Sequence, residues 1–301
     1  MKIAYFHTNT IRSSWTLWAA ARTMRKLGHE VLDCAVPTDF NGRVMTRALG
    51  FKPEGFPTLE ALASCDRVIV CAAEYIDQWL SDYYGPSWDP LDKWSIYVES
   101  VQRNDVRFAR TGCYTRRYYP DQNDADRLCG YQLPPFVDTE MFCPDPDPGA
   151  LKTIDVGFMG TLCAKRVAFL ESIQTPIVCG SVCAFGLQGE AHEVWTRLYV
   201  DALHSMRIHV DLPSNNPMMT SRPFETMAAG TCLVTWCKLP EPLEAGYHYM
   251  RYTSPEHLDG ILGCLLARPD LVTQLARRGC NRVRFEFGAE RAWRSILDLG
   301  R

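Results

Sequence analysis

The first 36 residues constrain the fold most. Lys2-Ile-Ala-Tyr-Phe6 is an apolar run of strand length, and the polar stretch from His7 to Arg12 reads as a turn. Ser13 or Ser14 then caps an apolar helix that runs to Leu27 and stops at Gly28, and Glu30 to Val36 follows at once as a second strand. Strand, helix and strand in immediate succession predict a parallel sheet with a right-handed crossover. Arg67 to Ala72 and Trp94 to Val98 extend that sheet, with a short helix around Leu59 to Ser64 before the third strand.

The pattern breaks between Tyr131 and Gly149, a stretch rich in Pro and Asp that suits neither helix nor central strand, and we place the domain boundary there. A second α/β series then begins. Ile154 to Met159 is a strand, Gly160-Thr161 a turn and Lys165 to Ser172 a helix; Pro176 to Cys179 is a strand, Glu190 to Leu203 a helix and Arg207 to Val210 a strand. A helix containing Glu225, a strand from Thr231 to Trp236 and helices Pro255 to Ala267 and Pro269 to Cys280 complete it. Ala289 to Leu299, after Gly288, is a last helix. The 301 residues therefore divide into an N-terminal domain (1–140), a C-terminal domain (150–285) and a closing helical segment (286–301).

Composition narrows the partners. A hydrophobic fraction of 47% and a charged fraction of 22% are those of a soluble globular chain. A net charge of −3 gives no global attraction to nucleic acid or anionic membrane and leaves only a local basic patch as a route to either. No apolar run reaches the roughly 18 residues that span a bilayer, and Lys2 leads directly into a strand rather than a signal-peptide core, so a cytoplasmic location is expected. The thirteen Cys are scattered without a Cys-x-x-Cys pair, which favours buried free thiols over a zinc site or a disulfide framework.

One segment points to a ligand. Ser214-Asn215-Asn216-Pro217 leads into Ser221-Arg222-Pro223-Phe224-Glu225-Thr226-Met227-Ala228-Ala229-Gly230 and then the apolar run Cys232 to Thr235, which reads as loop, helix start, glycine stop and strand. Unbonded N–H groups at such a helix start, together with the helix dipole, favour an anion such as a pyrophosphate. Glu225, one turn in, could accept hydrogen bonds from a pair of sugar hydroxyls. The same small-residue ending is also an ordinary device for packing a helix on a sheet.

The segment resembles the donor-binding helix of GT-B glycosyltransferases, in particular the CgeB-like branch related to the large retaining family 4. Further likeness lies in Asp155-Val-Gly-Phe-Met-Gly160-Thr161 followed by Arg166, in Glu244 to Tyr252 with Ser254 and Glu256, and in the interdomain stretch ending at Phe142 and Pro144. The resemblance implies an α/β GT-B fold: two Rossmann-like domains facing across a cleft, the donor in the C-terminal half, and a C-terminal helix crossing back to the N-terminal domain. It implies transfer of a sugar from a nucleoside diphosphate sugar, a UDP-sugar being favoured, to an acceptor hydroxyl, with no metal and no other cofactor.

Within that implication, Arg222 and Arg166, with Lys165 beside it, would grip the diphosphate after the Gly160-Thr161 turn, the alternative being solvated charges at helix starts. Ser221, Pro223 and Phe224 would shape the donor pocket around Glu225, whose assigned role is the ribose. The family 4 pattern carries an earlier Glu where this chain has Pro217, so Asn215 and Asn216 are the expected substitutes at the donor sugar. An inverting route needs a base; His7, at the end of the first strand, is the candidate, with Glu74 or Glu99 behind it, and a structural His7 is the alternative. No Asp-x-Asp metal motif stands at a suitable strand end. The acceptor stays open. The run from Arg103 to Tyr119 interleaves five arginines with aromatics and would suit DNA with a hydroxylated base, although a solvated surface explains it too. A silent nucleotide- or glycan-binding module is the reading from another class.

Overall fold

The structure, a computed structural model, describes residues 1–8, 19–36, 56–71, 80, 83–85, 94–98, 116–119, 131–143, 152–180, 190–213 and 220–298. Contacts divide the chain into two compact units. Unit 1 comprises Met1–Pro134, Ala184–His192 and Ala289–Arg301; unit 2 comprises Pro135–Cys183 and Glu193–Gly288.

Unit 1 is built on six parallel strands: β1 (Lys2–Thr8), β2 (Glu30–Val36), β3 (Arg67–Cys71), β4 (Trp94–Val98), β5 (Arg116–Tyr119) and β6 (Tyr131–Gln132), in the order β2-β1-β3-β4-β5-β6. The pleat sends alternate β1 residues to opposite faces. Ala4 and Phe6 join Val36, Val68, Val70 and Leu80 in one core cluster. On β1's other register Tyr5 meets the edge of Trp293 at 5.8 Å; Trp293 belongs to the C-terminal helix α8 (Ala289–Asp298), which packs against α1 (Ala20–Lys26). α1 ends where left-handed Gly28 (φ 85°) lets the His29 N–H reach the Met24 carbonyl at 3.2 Å, the six-to-one closure expected of a glycine stop. The short helix α2 (Leu59–Ala63) is capped by Thr58, whose hydroxyl accepts from the Ala61 N–H at 3.1 Å. The Ser13 and Ser14 cap lies outside the described residues.

The sequence reading missed β5. Arg116 and Arg117, part of the basic and aromatic run in the sequence, belong to a strand paired on both sides, and Tyr118 is buried. The β propensity of consecutive Tyr residues prevails locally over the charge pattern. Arg103, Arg107, Arg110 and Tyr114 lie outside the described residues, as do Glu74 and Glu99.

Unit 2 repeats the plan with five parallel strands: β7 (Ile154–Met159), β8 (Val178–Gly180), β9 (Met206–Asp211), β10 (Cys232–Thr235) and the two-residue β11 (Met250–Arg251), in the order β11-β10-β9-β7-β8. Its helices are α3 (Ala164–Glu171), α4 (Glu190–Ser205, from Glu193 onward in this unit), α5 (Arg222–Ala228), α6 (Pro255–Leu266) and α7 (Pro269–Glu286). Val156, Phe158, Ile208, Val210, Cys232 and Val234 meet Leu258, Leu262 and Leu275 in a core whose residues run as near-continuous apolar stretches, as sheets covered on both faces require. α7 continues past the expected stop at Cys280. Gly279 is a packing glycine: a Cβ there would stand 2.7 Å from the His248 carbonyl and 3.1 Å from the Met227 sulfur. Pro135 to Cys143 also belongs to unit 2, where the Val137 N–H bonds the Phe287 carbonyl and Phe142 meets Tyr199 edge-on. The cysteines among the described residues are free thiols, and no described helix is long and apolar enough to cross a membrane.

Candidate active site

In unit 2 the chain leaves β7 for β8 on one side, while β9 lies on the other side of β7. The strand order reverses there. Open parallel sheets bind ligands in the crevice outside the carboxyl ends of strands at such a point. The residues that end β7 and β9 are Met159, followed by Gly160, and Asp211.

Asp211 organises this end of the sheet. It is 3% exposed, and one carboxylate oxygen accepts from the Arg222 guanidinium at 3.3 Å while the other accepts from the Thr235 hydroxyl at 3.0 Å. Its carbonyl accepts from the Tyr252 hydroxyl at 2.9 Å. Burial opposes the Arg222 charge, but Asp211, Tyr199 and Glu225 more than offset it and raise the guanidinium above its ordinary value. Arg222 thus remains a fixed cation with a five-donor fork only partly engaged by Asp211.

Arg166 is placed differently from a phosphate clamp. It is 6% exposed, and its nitrogens donate to the carbonyls of Thr161 (2.8 Å), Pro213 (3.2 Å) and Leu212 (3.4 Å). It ties the segment after β7 to the segment after β9. Burial, and then the like charge of Arg222, push its pKa down. Both guanidinium carbons stand near the Phe158 ring, Arg166 at 5.2 Å and Arg222 at 5.8 Å from its centroid. Two cations pressed together beside Asp211 form an arrangement that an anionic ligand would relieve. Gly160 makes the close approach possible, since a Cβ there would meet Phe158 Cζ at 2.9 Å and the Arg222 guanidinium at 3.1 Å. Thr161 and Lys165 are exposed beside it, and Asn215 and Asn216 lie outside the described residues.

α5 departs from the expected anion site. Pro223 has no N–H, and the N–H groups of Phe224 and Glu225 both bond the Ser221 carbonyl at 3.0 Å. Its seven residues therefore offer little free backbone, and the positive charge at its start comes from the Arg222 side chain. Its far end closes as predicted, with Gly230 left-handed (φ 73°) and the Thr231 N–H on the Thr226 carbonyl. Pro223 and Phe224 are buried, the latter against Phe287.

Glu225 is 7% exposed and accepts from the Tyr199 hydroxyl at 3.3 Å. Burial raises its carboxyl pKa, opposed by hydrogen bonding to Ser221, the Arg222 charge and the Tyr199 bond. Tyr199 is itself stacked on Trp195 at 5.9 Å. A carboxylate that accepts from the Tyr199 hydroxyl and is hydrogen-bonded to Ser221 still keeps lone pairs for two further donors, which is what a vicinal diol offers.

His209 locks α5 to the sheet. It is fully buried; its Nε2 accepts from the Met159 N–H at 3.2 Å, so its Nδ1 carries the proton and donates to the Thr226 hydroxyl at 3.2 Å. Burial, assisted by Arg222, lowers its pKa to about 3. A histidine depressed in this way stabilises the fold least at low pH: from pH 6.5 downward the unfolded chain takes a proton the folded one refuses. We expect stability to fall from pH 6.5 toward pH 3, this residue contributing on the order of 4 kcal/mol across the window. His209→Gln, which keeps an acceptor without titrating, flattens that part of a denaturation-versus-pH curve.

His7, the candidate base, is 4% exposed and pairs through Nε2 with Asp33 Oδ1 on β2 at 2.8 Å; it stacks on Tyr5 at 5.1 Å, and Arg25 approaches the other Asp33 oxygen at 3.7 Å. These contacts describe a histidine fixed between neighbouring strands. Among the described residues no three His, Cys, Asp or Glu side chains cluster as metal ligands.

Sequence reasoning singled out Arg222 and Glu225 but missed Asp211, His209, Tyr199 and Tyr252. Asp211 alone had a local signal: a carboxylate directly after the buried run that ends at Val210.

Residues 166–298 match a family model described as glycosyl transferase-like. No curated protein sequence matches the chain significantly. Among solved structures, the chain is similar to sucrose-phosphate synthase from Thermosynechococcus elongatus (TM-score 0.66, 12% identity, covering 99% of this chain and 98% of that one). It is also similar to Anabaena HepE in complex with UDP-glucose (0.64, 9%, 99% of each chain) and to an alpha-glucosyltransferase in complex with UDP-glucose and DNA containing an abasic site (0.66, 10%, 99% of each chain). At such identities the likeness concerns the fold. Arg222, Glu225 and Tyr252 all fall within the matched residues, so this chain carries a glycosyl transferase-like domain on the fold of GT-B glycosyltransferases.

Proposed function

We propose that this protein is a glycosyltransferase that moves a sugar from a UDP-sugar to an acceptor hydroxyl without a metal ion. The observation that carries the proposal is the crevice between β7 and β9, where Arg222 is held by Asp211 beside Arg166 while Glu225 lies one turn into the same helix. The solved complexes of Anabaena HepE with UDP and with UDP-glucose support a uridine donor.

In this reading Arg222, a cation fixed by Asp211, stabilises the charge that develops on the leaving diphosphate. Arg166 contributes field and holds the flanking loops in place. Glu225 accepts the ribose hydroxyls and so fixes the nucleoside relative to Arg222. No step requires a metal as Lewis acid, because the guanidinium supplies the counter-charge.

The test is release of UDP from a panel of UDP-sugars in the presence of excess EDTA. We expect turnover with at least one donor, and a Glu225→Ala variant with a donor KM raised roughly 10- to 100-fold, the value of hydrogen bonds to a charged group. Turnover that disappears with EDTA and returns with magnesium would overturn the metal-independent part; a Glu225→Ala enzyme with unchanged donor KM would overturn the site. A DNA acceptor bearing a hydroxylated base is a second reading, favoured by the likeness to the alpha-glucosyltransferase solved with DNA. It predicts that such DNA accelerates UDP release while unmodified DNA does not.

A further inference from the structure

Apart from the Arg222 and Glu225 site, unit 2 carries a shallow groove of about 320 Å³ lined by Tyr247, His248, Arg278, Asn281, Arg282 and Phe285. The last four recur at helical spacing on one side of α7, while Val272, Leu275, Gly279 and Val283 are buried. Phe285 is 68% exposed and Tyr247 is 48% exposed. Scattered exposed apolar residues need no explanation. Here, however, two aromatic rings and two guanidiniums line one concavity.

The polar groups are mostly donors. The Arg278 guanidinium lies 4.3 Å from the centroid of Tyr247, whose ring meets His248 edge-on at 4.8 Å. Arg278 otherwise makes a long 3.4 Å contact to Gln274, and Arg282 a loose 3.7 Å ion pair with Glu286. Each fork keeps donors beyond these contacts. His248 Nδ1 accepts from the Glu244 N–H at 3.1 Å, which leaves its proton on Nε2. Burial and then the Arg282 field, with Arg278 adding to it and Glu244 opposing it, lower the His248 pKa and keep the ring neutral.

Two guanidiniums one turn apart suit a phosphate, which they can bind through forked hydrogen bonds. Exposed rings beside them suit a planar π-system, because base stacking on aromatics is favourable and indifferent to sequence. We propose that this groove binds a nucleotide unit, its phosphate held by Arg278 and Arg282 and its base laid against Tyr247 and Phe285. The unit can come from a single-stranded nucleic acid or from a free nucleotide, and the two are separable by experiment. The site is independent of the donor site and of its assignment.

The experiment is fluorescence anisotropy with a labelled eight-nucleotide thymidine strand, with unlabelled thymidine monophosphate and inorganic phosphate as competitors. It is run on the wild type, Arg278→Ala/Arg282→Ala, Tyr247→Ala and Arg222→Ala. All three groove positions tolerate Ala sterically, and Arg282→Gln provides a second, charge-only variant. We expect saturable binding by the wild type, weakened at least about 10-fold in the double variant and about 5-fold in Tyr247→Ala, and unchanged in Arg222→Ala. Tighter binding of the strand than of the monophosphate identifies nucleic acid as the source; equal binding identifies the free nucleotide. The proposal is overturned if the wild type binds neither, if the groove variants bind like the wild type, if Arg222→Ala alone abolishes binding, or if inorganic phosphate competes as well as the monophosphate.

Discussion

An Arg222→Ala variant should lose at least about 100-fold in kcat for sugar transfer, the loss typical of removing one preorganised charge stabiliser from a reacting centre. Three observations set that size. The guanidinium is fixed by Asp211 at 3.3 Å, kept charged against its desolvation, and near enough to Arg166 that its field lowers the Arg166 pKa. A departing diphosphate is the counter-charge this pair lacks. Because that charge develops mainly as the glycosidic bond breaks, the loss falls on kcat more than on donor KM. Arg222→Lys separates chemistry from folding: the ammonium can still pair with Asp211, yet it lacks the fork, so melting temperature should hold while most of the rate is lost. Steady-state kinetics on both variants, beside thermal melts, checks this. Wild-type kcat in Arg222→Ala would remove Arg222 from the chemistry.

Asp211→Ala is expected to be the most destabilising single change at the site. The carboxylate compensates Arg222, accepts from Thr235, and through Thr235 helps hold the backbone of Cys237, whose N–H bonds the same hydroxyl at 3.2 Å. Removing it leaves a partly buried guanidinium without its partner and a buried hydroxyl without its acceptor. Breaking a buried pair from one side costs about 3–5 kcal/mol, and the partial exposure of the guanidinium puts this pair at the lower end, about 3 kcal/mol. For a unit of this size that corresponds to a fall in Tm of roughly 10 °C. Asp211→Asn keeps the shape and a Thr235 acceptor but not the charge, and should fall between the two. Calorimetric melts of the three proteins measure the series, and a loss below about 1 kcal/mol in Asp211→Ala would mean that Arg222 finds another partner.

How much of this could be read from the sequence depended on the range of the interactions. Strands β1, β2, β3, β4 and β7 announce themselves as local apolar runs, and Gly28 and Gly230 as stops, because each signal is complete within a few residues. β5 was hidden because its arginines read as surface, and β11 because two residues are too few for a pattern. The helix from Pro269 was expected to end at Cys280, yet it runs on to Glu286, and Gly279 within it lets α7 lie against the chain at His248. At the site, Arg222 and Glu225 share one short motif and were legible together. The partners that define their chemistry were not, since Tyr199 reaches Glu225 across 26 residues and Thr235 reaches Asp211 across 24. Arg166 illustrates the same limit: the sequence shows a charge after a turn, and only the fold shows that charge held by three carbonyls.

The most direct test of the donor site is a calorimetric titration of UDP into the wild type, Arg222→Ala and Glu225→Ala, with EDTA present throughout. The account predicts one saturable site on the wild type, weakened at least about 10-fold in each variant through a lost phosphate contact in one and a lost ribose contact in the other. Equal UDP affinity in all three proteins, or none in the wild type, would contradict it.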